Sequence, residues 1–275
     1  MIRAAVLGSD VSKSRSPAIH NAAFKALGVE GEYVARSVDA AGFGALVRQL
    51  RADGYRYLNV TIPHKEAAAQ LADAQGPEVG ASGAANTLLF ATPAAPIRAE
   101  NTDGAGLIAA LADLGAPVSG KTIVMVGAGG AAAGAAEALT RAGGRLRLVA
   151  RRPDAARALR DRLGPAQRQQ VTTTAWTAVD LQAALGGADI LVSAVPAAAW
   201  GPDKARAGLV TLTPGTAVLE MAYGAITPLA EAARARTGRY ADGLGMLVHQ
   251  AAHAIALALG MKPPLAQMFE AVRTP

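Results

Sequence analysis

The chain contains no cysteine, which excludes a disulfide framework, a cysteine nucleophile and every thiolate metal site. Charged residues make up only 17%, against roughly 25% in an ordinary soluble protein. The scarce charge comes with 51% hydrophobic residues and a mean hydropathy of +0.23, so disorder is excluded as the main state. Acidic residues are outnumbered, 21 against 27 Lys and Arg, giving a net charge of +6 and a sequence pI near 9.9. That balance raises nucleic acid as a partner. The basic residues are scattered, however, aromatics are only 4%, and no Lys/Arg run carries interleaved stacking rings. The basicity therefore reads as a solvated face, and no nucleic-acid partner is expected.

Long hydrophobic runs are also missing. The apolar run after Arg3 is too short for the core of an export signal, so a cytoplasmic location is expected. The charge-free stretch 243–261 has about the length of a membrane span, but it holds His249, Gln250 and His253 near its middle, which would be costly in hydrocarbon. It reads as a buried helix, and no membrane partner is expected.

What is present is an α/β rhythm: short β-branched runs alternate with Ala/Leu-rich helical patterns. At about 150 residues per domain, 275 residues suggest two. Strands are expected at 3–7, 32–38, 57–61 and 87–91, with helices at 17–27, 42–53 and 64–72. A second unit opens with the strand Thr122-Ile123-Val124-Met125-Val126, followed by a glycine turn and a helix; further strands fit 146–150, 190–194 and 217–221. Helices at 245–259 and 264–272 can fold back on the first unit, and two lobes with a cleft between them are the expected shape.

The turn Gly127-Ala128-Gly129-Gly130-Ala131-Ala132 sits between a buried strand and an Ala-rich helix, the context in which a glycine fingerprint binds a dinucleotide pyrophosphate. Glycines allow close backbone approach, and the helix N-terminus supplies free N–H groups and a positive dipole. The plainer alternative is a glycine cluster that packs a helix. An NAD enzyme usually places an acid about twenty residues on; here Arg151 and Arg152 stand there instead. Two guanidiniums suit a ribose 2′-phosphate, so NADP is the expected cofactor.

Ser12-Lys13-Ser14-Arg15-Ser16-Pro17 puts hydroxyls at a helix entry, where Ser16 reads as an N-cap and the helix end suits a substrate carboxylate. Thr61 falls at a strand end and Lys65 in the first turns of the next helix; Asn86-Thr87 and Asn101-Thr102-Asp103 lie at other element ends. Alone, Asp103 reads as a helix cap and Lys65 as a solvated helix residue.

Taken in order, these segments resemble the shikimate dehydrogenase family. The matching pieces are Ser14-Arg15-Ser16-Pro17 with His20, Asn59-Val60-Thr61 with Pro63 and Lys65, Gly83-Ala84-Ala85-Asn86-Thr87, Asn101-Thr102-Asp103-Gly104, the glycine turn, Tyr223, and Gly243-Leu244-Gly245-Met246-Leu247 with Gln250. The resemblance implies NADP-dependent reduction of 3-dehydroshikimate to shikimate, with small-molecule partners only and a monomer or homodimer. It implies a substrate-binding domain over 1–102, with 243–275 packing back on it, and a Rossmann-type NADP-binding domain over 103–242. Lys65 would be the acid/base, paired with Asp103. Ser14, Ser16 and Tyr223 would hold the substrate carboxylate; Thr61, Asn86, Asp103 and Gln250 would hold ring hydroxyls. Gly127, Ala128, Gly129, Gly130, Ala131, Arg151, Arg152, Gly243 and Met246 would carry the cofactor. The chain departs from the family pattern at Glu220, where Asp is usual, and at Ser193-Ala194-Val195.

Alternatives are a paralogue acting on quinate or an aminoshikimate, and a nucleotide-binding regulator that has lost the chemistry. A metal enzyme is suggested only by His249 and His253, four apart on one helix face, with no third ligand cluster, so no metal is expected.

Overall fold

The computed structural model describes residues 1–202 and 208–273 and divides into two compact units, Met1–Gly106 with Leu247–Pro275, and Leu107–Met246. The first unit holds strands β1 (Ile2–Gly8), β2 (Gly31–Ser37), β3 (Tyr57–Val60), β4 (Ala74–Gln75), β5 (Thr87–Leu89) and β6 (Arg98–Glu100). They form one sheet in the order β2-β1-β3-β5-β6-β4. β1 is parallel to β2 and β3, whereas β5 runs antiparallel to both β3 and β6. The expected parallel rhythm therefore holds for β1 to β3 and for the short β4–β6 pair, but not around β5. β5 and β6 are joined by a short loop with no helix, and a connection of that length can only return the chain antiparallel.

Side chains on the two faces of this sheet enter two separate cores. Leu7, Leu58, Val60 and Leu88 pack on one side; Ala4, Val6, Tyr33 and Tyr57 pack on the other. Asn59, two positions from Tyr57, shares the second face, so a buried polar residue interrupts an apolar layer there.

The second unit holds β7 (Thr122–Val126), β8 (Arg145–Ala150), β9 (Val171–Ala175), β10 (Ile190–Ser193), β11 (Ala217–Glu220) and β12 (Tyr240–Ala241). All pairings are parallel, in the order β12-β11-β10-β7-β8-β9. This is the doubly wound dinucleotide-binding order, whose direction reverses between the first strand, β7, and the fourth, β10. Ile123, Met125, Leu148 and Val192 point to one core, and Val124, Val126, Val149 and Leu191 to the other. A sheet buried on both faces requires such continuous apolar strands.

Several short elements had no counterpart in the sequence pattern: β4, β6, β9 and β12, and the helices Pro77–Ser82, Pro153–Arg162, Ala178–Leu185 and Pro228–Arg236. β6 is a three-residue strand with two charged residues, too short to show alternation. The apolar stretch near the C-terminus forms the 16-residue helix Leu244–Leu259, and among the described residues no helix is long and apolar enough to cross a membrane.

Candidate active site

In the first unit, the C-terminal end of β3, the start of β5 and the starts of two helices bring polar residues together. Lys65 opens the helix Lys65–Leu71 and Asp103 opens the helix Asp103–Asp113. The Lys65 ammonium donates to Asp103 Oδ2 at 2.5 Å, with side-chain exposures of 17% and 11%. Lys65 is thus not the solvated residue its position suggested. Nor does the Asp103 carboxylate cap its helix: it is spent on Lys65 and Asn86, while Asn101 Oδ1 takes the Asp103 backbone N–H at 3.1 Å.

Asn86, just before β5, is the hub of the cluster. Its amide nitrogen lies 2.8 Å from Asp103 Oδ1, 2.9 Å from Thr102 Oγ1 and 3.3 Å from Gln250 Oε1, so two protons serve three acceptors. Gln250 is fixed from its other end, its own amide donating to the Leu247 carbonyl at 2.9 Å. Thr61, half-buried just past β3, donates its backbone N–H to the Leu7 carbonyl at 2.8 Å and accepts that of His64 at 3.0 Å. Its methyl lies so close to Gly8 that a Cβ added to that glycine would stand 2.6 Å from Thr61 Cγ2. Half-buried Lys65 therefore meets buried Asn86, Asp103 and Gln250 in one network, and Thr61 lies four residues before Lys65 at the strand end.

The helix Ser16–Ala26 begins at Ser16 with Pro17 in its first turn. Ser16 is not the N-cap expected. Arg15 flanks the helix without a side-chain cap, and the Ser14 hydroxyl accepts the Ser16 backbone N–H at 3.2 Å instead. Both serines thus sit at a helix N-terminus, where N–H groups and dipole favour an anion.

Sequence reasoning gave no role to a further buried set beside Asn86. Asn59 donates to Thr87 Oγ1 at 3.0 Å, Thr87 donates to Asn86 Oδ1 at 2.9 Å, and the Tyr33 hydroxyl donates to Asn59 Oδ1 at 2.8 Å. His20 stacks on Tyr33 with ring centroids 3.9 Å apart, and its Nδ1 lies 2.6 Å from the Tyr57 hydroxyl. Burial pushes the His20 imidazole down to about 3, so it is neutral, and lifts both phenols well above their usual range. The available signal was the recurrence of Asn and Thr at strand ends, where side chains rather than solvent must satisfy each other.

In the second unit the glycine turn lies at the reversal of strand order. Gly127 has φ +125, and a Cβ there would stand 2.8 Å from the Ala194 carbonyl oxygen, just past β10. At Gly129 and Gly130 an added Cβ would meet nothing within 4 Å, and the helix Gly130–Arg141 starts without a side-chain cap. Its first N–H groups therefore face an open approach that only glycine leaves clear. Ala128 and Ala131 are half-buried in the same turn, and Arg151 and Arg152 stand exposed just past β8. An uncapped helix start behind a glycine turn, with two guanidiniums beside the neighbouring strand, fits an anionic dinucleotide carrying a 2′-phosphate.

Gly243 is held against backbone: a Cβ there would lie 2.0 Å from the Met221 carbonyl oxygen. Met246 packs into the core of this unit with Leu107, Ala110 and Met125. Tyr223 is 37% exposed in the loop after β11. Among the described residues, no three or more His, Asp or Glu side chains converge as metal ligands, and His249 packs edge-on to Phe269.

A family model described as the shikimate dehydrogenase substrate binding domain matches residues 6–88. Over 272 residues the chain is 38% identical to shikimate dehydrogenase (NADP(+)) of Acidovorax sp. strain JS42, covering 98% of this chain and 94% of that one. Among solved structures, the shikimate 5-dehydrogenase of Thermus thermophilus, in complex with NADP(H) and shikimate, superposes with a TM-score of 0.83 at 31% identity, covering 99% of each chain. An Ael1 enzyme from Pseudomonas putida superposes with a TM-score of 0.84, also at 31% identity, over 100% of this chain and 99% of that one.

Proposed function

The chain belongs to the shikimate dehydrogenase family, and from that premise we propose that it catalyses the reversible, NADP-dependent reduction of 3-dehydroshikimate to shikimate. The observation that carries the reading is the Lys65–Asp103 pair, joined by Asn86 and Gln250 in one buried polar cluster. The first unit takes the substrate and the second the cofactor. The reading carries small-molecule partners, the cytoplasm as compartment, and a monomer or homodimer as the assembly.

Ser14 and Ser16 bind the substrate carboxylate; Thr61, Asn86, Asp103 and Gln250 accept and donate to ring hydroxyls. When bound, NADPH would supply a hydride to the ketone carbon. Negative charge then grows on the ketone oxygen, and a cation beside it lowers the barrier. Lys65 supplies that cation and gives its proton to the oxygen as general acid; in the reverse direction the neutral amine takes the hydroxyl proton. Asp103 holds the ammonium through Oδ2 and keeps the other carboxylate oxygen on Asn86, so the donor is aimed before substrate arrives. On the cofactor side, the N–H groups behind Gly127, Ala128, Gly129, Gly130 and Ala131 hold the pyrophosphate, and Arg151 with Arg152 holds the 2′-phosphate. Gly243 and Met246 line the nicotinamide end.

The test is to offer the purified protein shikimate with NADP and follow appearance of the reduced nicotinamide. Turnover that needs both compounds is expected. A protein that binds NADP but turns over neither shikimate nor a close analogue would overturn the reading in favour of a nucleotide-binding regulator.

A further inference from the structure

We propose that Asn59 and Thr87 are positioning residues that hold the Asp103 carboxylate in one orientation, acting through the side-chain amide of Asn86. The kinetic consequence rests on the reading of Lys65 and Asp103 as catalytic partners; the positioning itself does not.

An amide side chain has two orientations that exchange its donor and acceptor, and only its neighbours choose between them. The Asp103 carboxylate, paired with the Lys65 ammonium, accepts only, so Asn86 must present Nδ2 to it, at 2.8 Å. The flipped amide would set oxygen against carboxylate oxygen in a buried place, an unpaired contact of the most unfavourable kind. What resists the flip is found on the other side of Asn86. Its Oδ1 accepts the Thr102 backbone N–H at 2.9 Å and the Thr87 hydroxyl at 2.9 Å.

A hydroxyl has one proton, and Thr87 commits it to Asn86 because a separate donor, Asn59 Nδ2, occupies its lone pair at 3.0 Å. Asn59 has the same twofold ambiguity, and it is settled twice. Its Nδ2 also faces the Asn86 backbone carbonyl at 3.3 Å, and its Oδ1 accepts from the Tyr33 hydroxyl at 2.8 Å. Burial keeps that phenol protonated. Every donor then points the same way, from Tyr33 through Asn59, Thr87 and Asn86 to Asp103, and reversing any one leaves two acceptors or two donors face to face.

The backbone supports this arrangement. Asn59 and Thr87 are register partners across β3 and β5, and Tyr33 and Tyr57 both pair with Ala4, whose small side chain lets the Tyr33 ring reach across the sheet. Asn59, Asn86 and Thr87 are all buried, Thr87 completely. A polar chain this deep in an apolar face specifies geometry more than it adds stability.

The experiment compares wild type, Thr87→Val, which keeps the shape and loses the hydroxyl, and Thr87→Ser, which restores it. In the free protein, NMR follows the Asn86 side-chain amide protons, assigned by their absence in Asn86→Ala. Thr87→Val should shift them and speed their exchange by about tenfold, with Thr87→Ser close to wild type. Amide signals in folded Thr87→Val that coincide with wild type would overturn the proposal. Should Thr87→Val fail to fold, Thr87→Ala removes the same hydroxyl and is read in the same way.

The kinetic arm uses shikimate and NADP. Thr87→Val should lower kcat about 3- to 10-fold with a smaller change in KM, and should have no further effect in an Asp103→Ala background. An equal fractional loss in both backgrounds would mean a merely structural role and overturn the proposal. Wild-type protein inactive on shikimate would instead sink the activity reading, and the NMR arm, which needs neither substrate nor cofactor, would still decide the positioning role.

Discussion

The Lys65 ammonium lies 2.5 Å from Asp103 Oδ2, and the two residues stand at the first positions of two different helices. Each side chain is therefore aimed by a rigid element rather than by a mobile loop. Removing the ammonium should separate chemistry from binding. Lys65→Met is expected to lower kcat by about 10²- to 10⁴-fold, the usual worth of a positioned acid/base, with a much smaller change in shikimate KM. Steady-state kinetics with both substrates varied gives the two numbers independently. Near-normal turnover would remove Lys65 from the mechanism.

The glycine turn makes two opposite predictions from neighbouring positions. Gly127→Ala demands a side chain at φ +125 with its Cβ 2.8 Å from the Ala194 carbonyl. The backbone conformation alone costs about 1–3 kcal/mol, and at roughly 2–4 °C per kcal/mol the melting temperature should fall by several degrees. Gly129→Ala meets nothing within 4 Å and has an ordinary φ of -90, so the fold should tolerate it. The added methyl instead stands in the approach to the helix N-terminus, and NADP affinity should drop while the melting temperature stays within about a degree. Calorimetry and a cofactor titration on both variants check the pair. A Gly129→Ala protein that binds NADP normally would show that the phosphates do not approach there.

The two sheets were legible to different degrees, for physical reasons. β7 and its glycine turn announced themselves because a strand buried on both faces must be apolar throughout, as Thr122 to Val126 nearly is. β6 carries two charged residues among its three, and Glu100 is buried beside Gly76 with Arg98 as its partner, a pairing no periodicity reveals. The candidate site residues were visible singly, as polar residues at element ends, but each alone suggested a cap or a solvated position. Asp103 and Lys65 differ by 38 positions in the chain and only the fold makes them neighbours. Asn59 and Thr87 drew no role for the same reason: their partners are each other across β3 and β5.

His20 should leave a signature in acid stability. Its imidazole is pushed down to about 3 by burial, from an ordinary 6.5. Between those values the unfolded chain binds a proton that the folded protein refuses. Stability contributed by neutral burial is complete above 6.5 and erodes as pH falls from 6.5 toward 3, by up to about 1.4 kcal/mol per pH unit. Denaturant melts at several pH values on wild type and His20→Gln isolate this slope, since the carboxylates titrate alike in both. The variant should lose stability less steeply below about pH 6. Parallel curves would mean that His20 accepts a proton in the folded protein.

The last expectation concerns cofactor choice. The strand end after β8 offers Ala150, Arg151 and Arg152 and no carboxylate, so nothing there rewards a free ribose 2′-hydroxyl with an acceptor, whereas two exposed guanidiniums can meet a 2′-phosphate. Hydrogen bonds to charged groups are worth about 1.5–3 kcal/mol, so Arg151→Ala should weaken NADP by roughly 10- to 100-fold. NAD lacks the phosphate and should bind the variant and the wild type almost equally. Because both arginines are exposed, raising the salt concentration should weaken NADP in the wild type more than in the variant. Titrations with the two cofactors at low and high salt decide between electrostatic recognition and a structural role. An equal loss for NADP and NAD in Arg151→Ala would mean that this side chain shapes the loop rather than reading the phosphate.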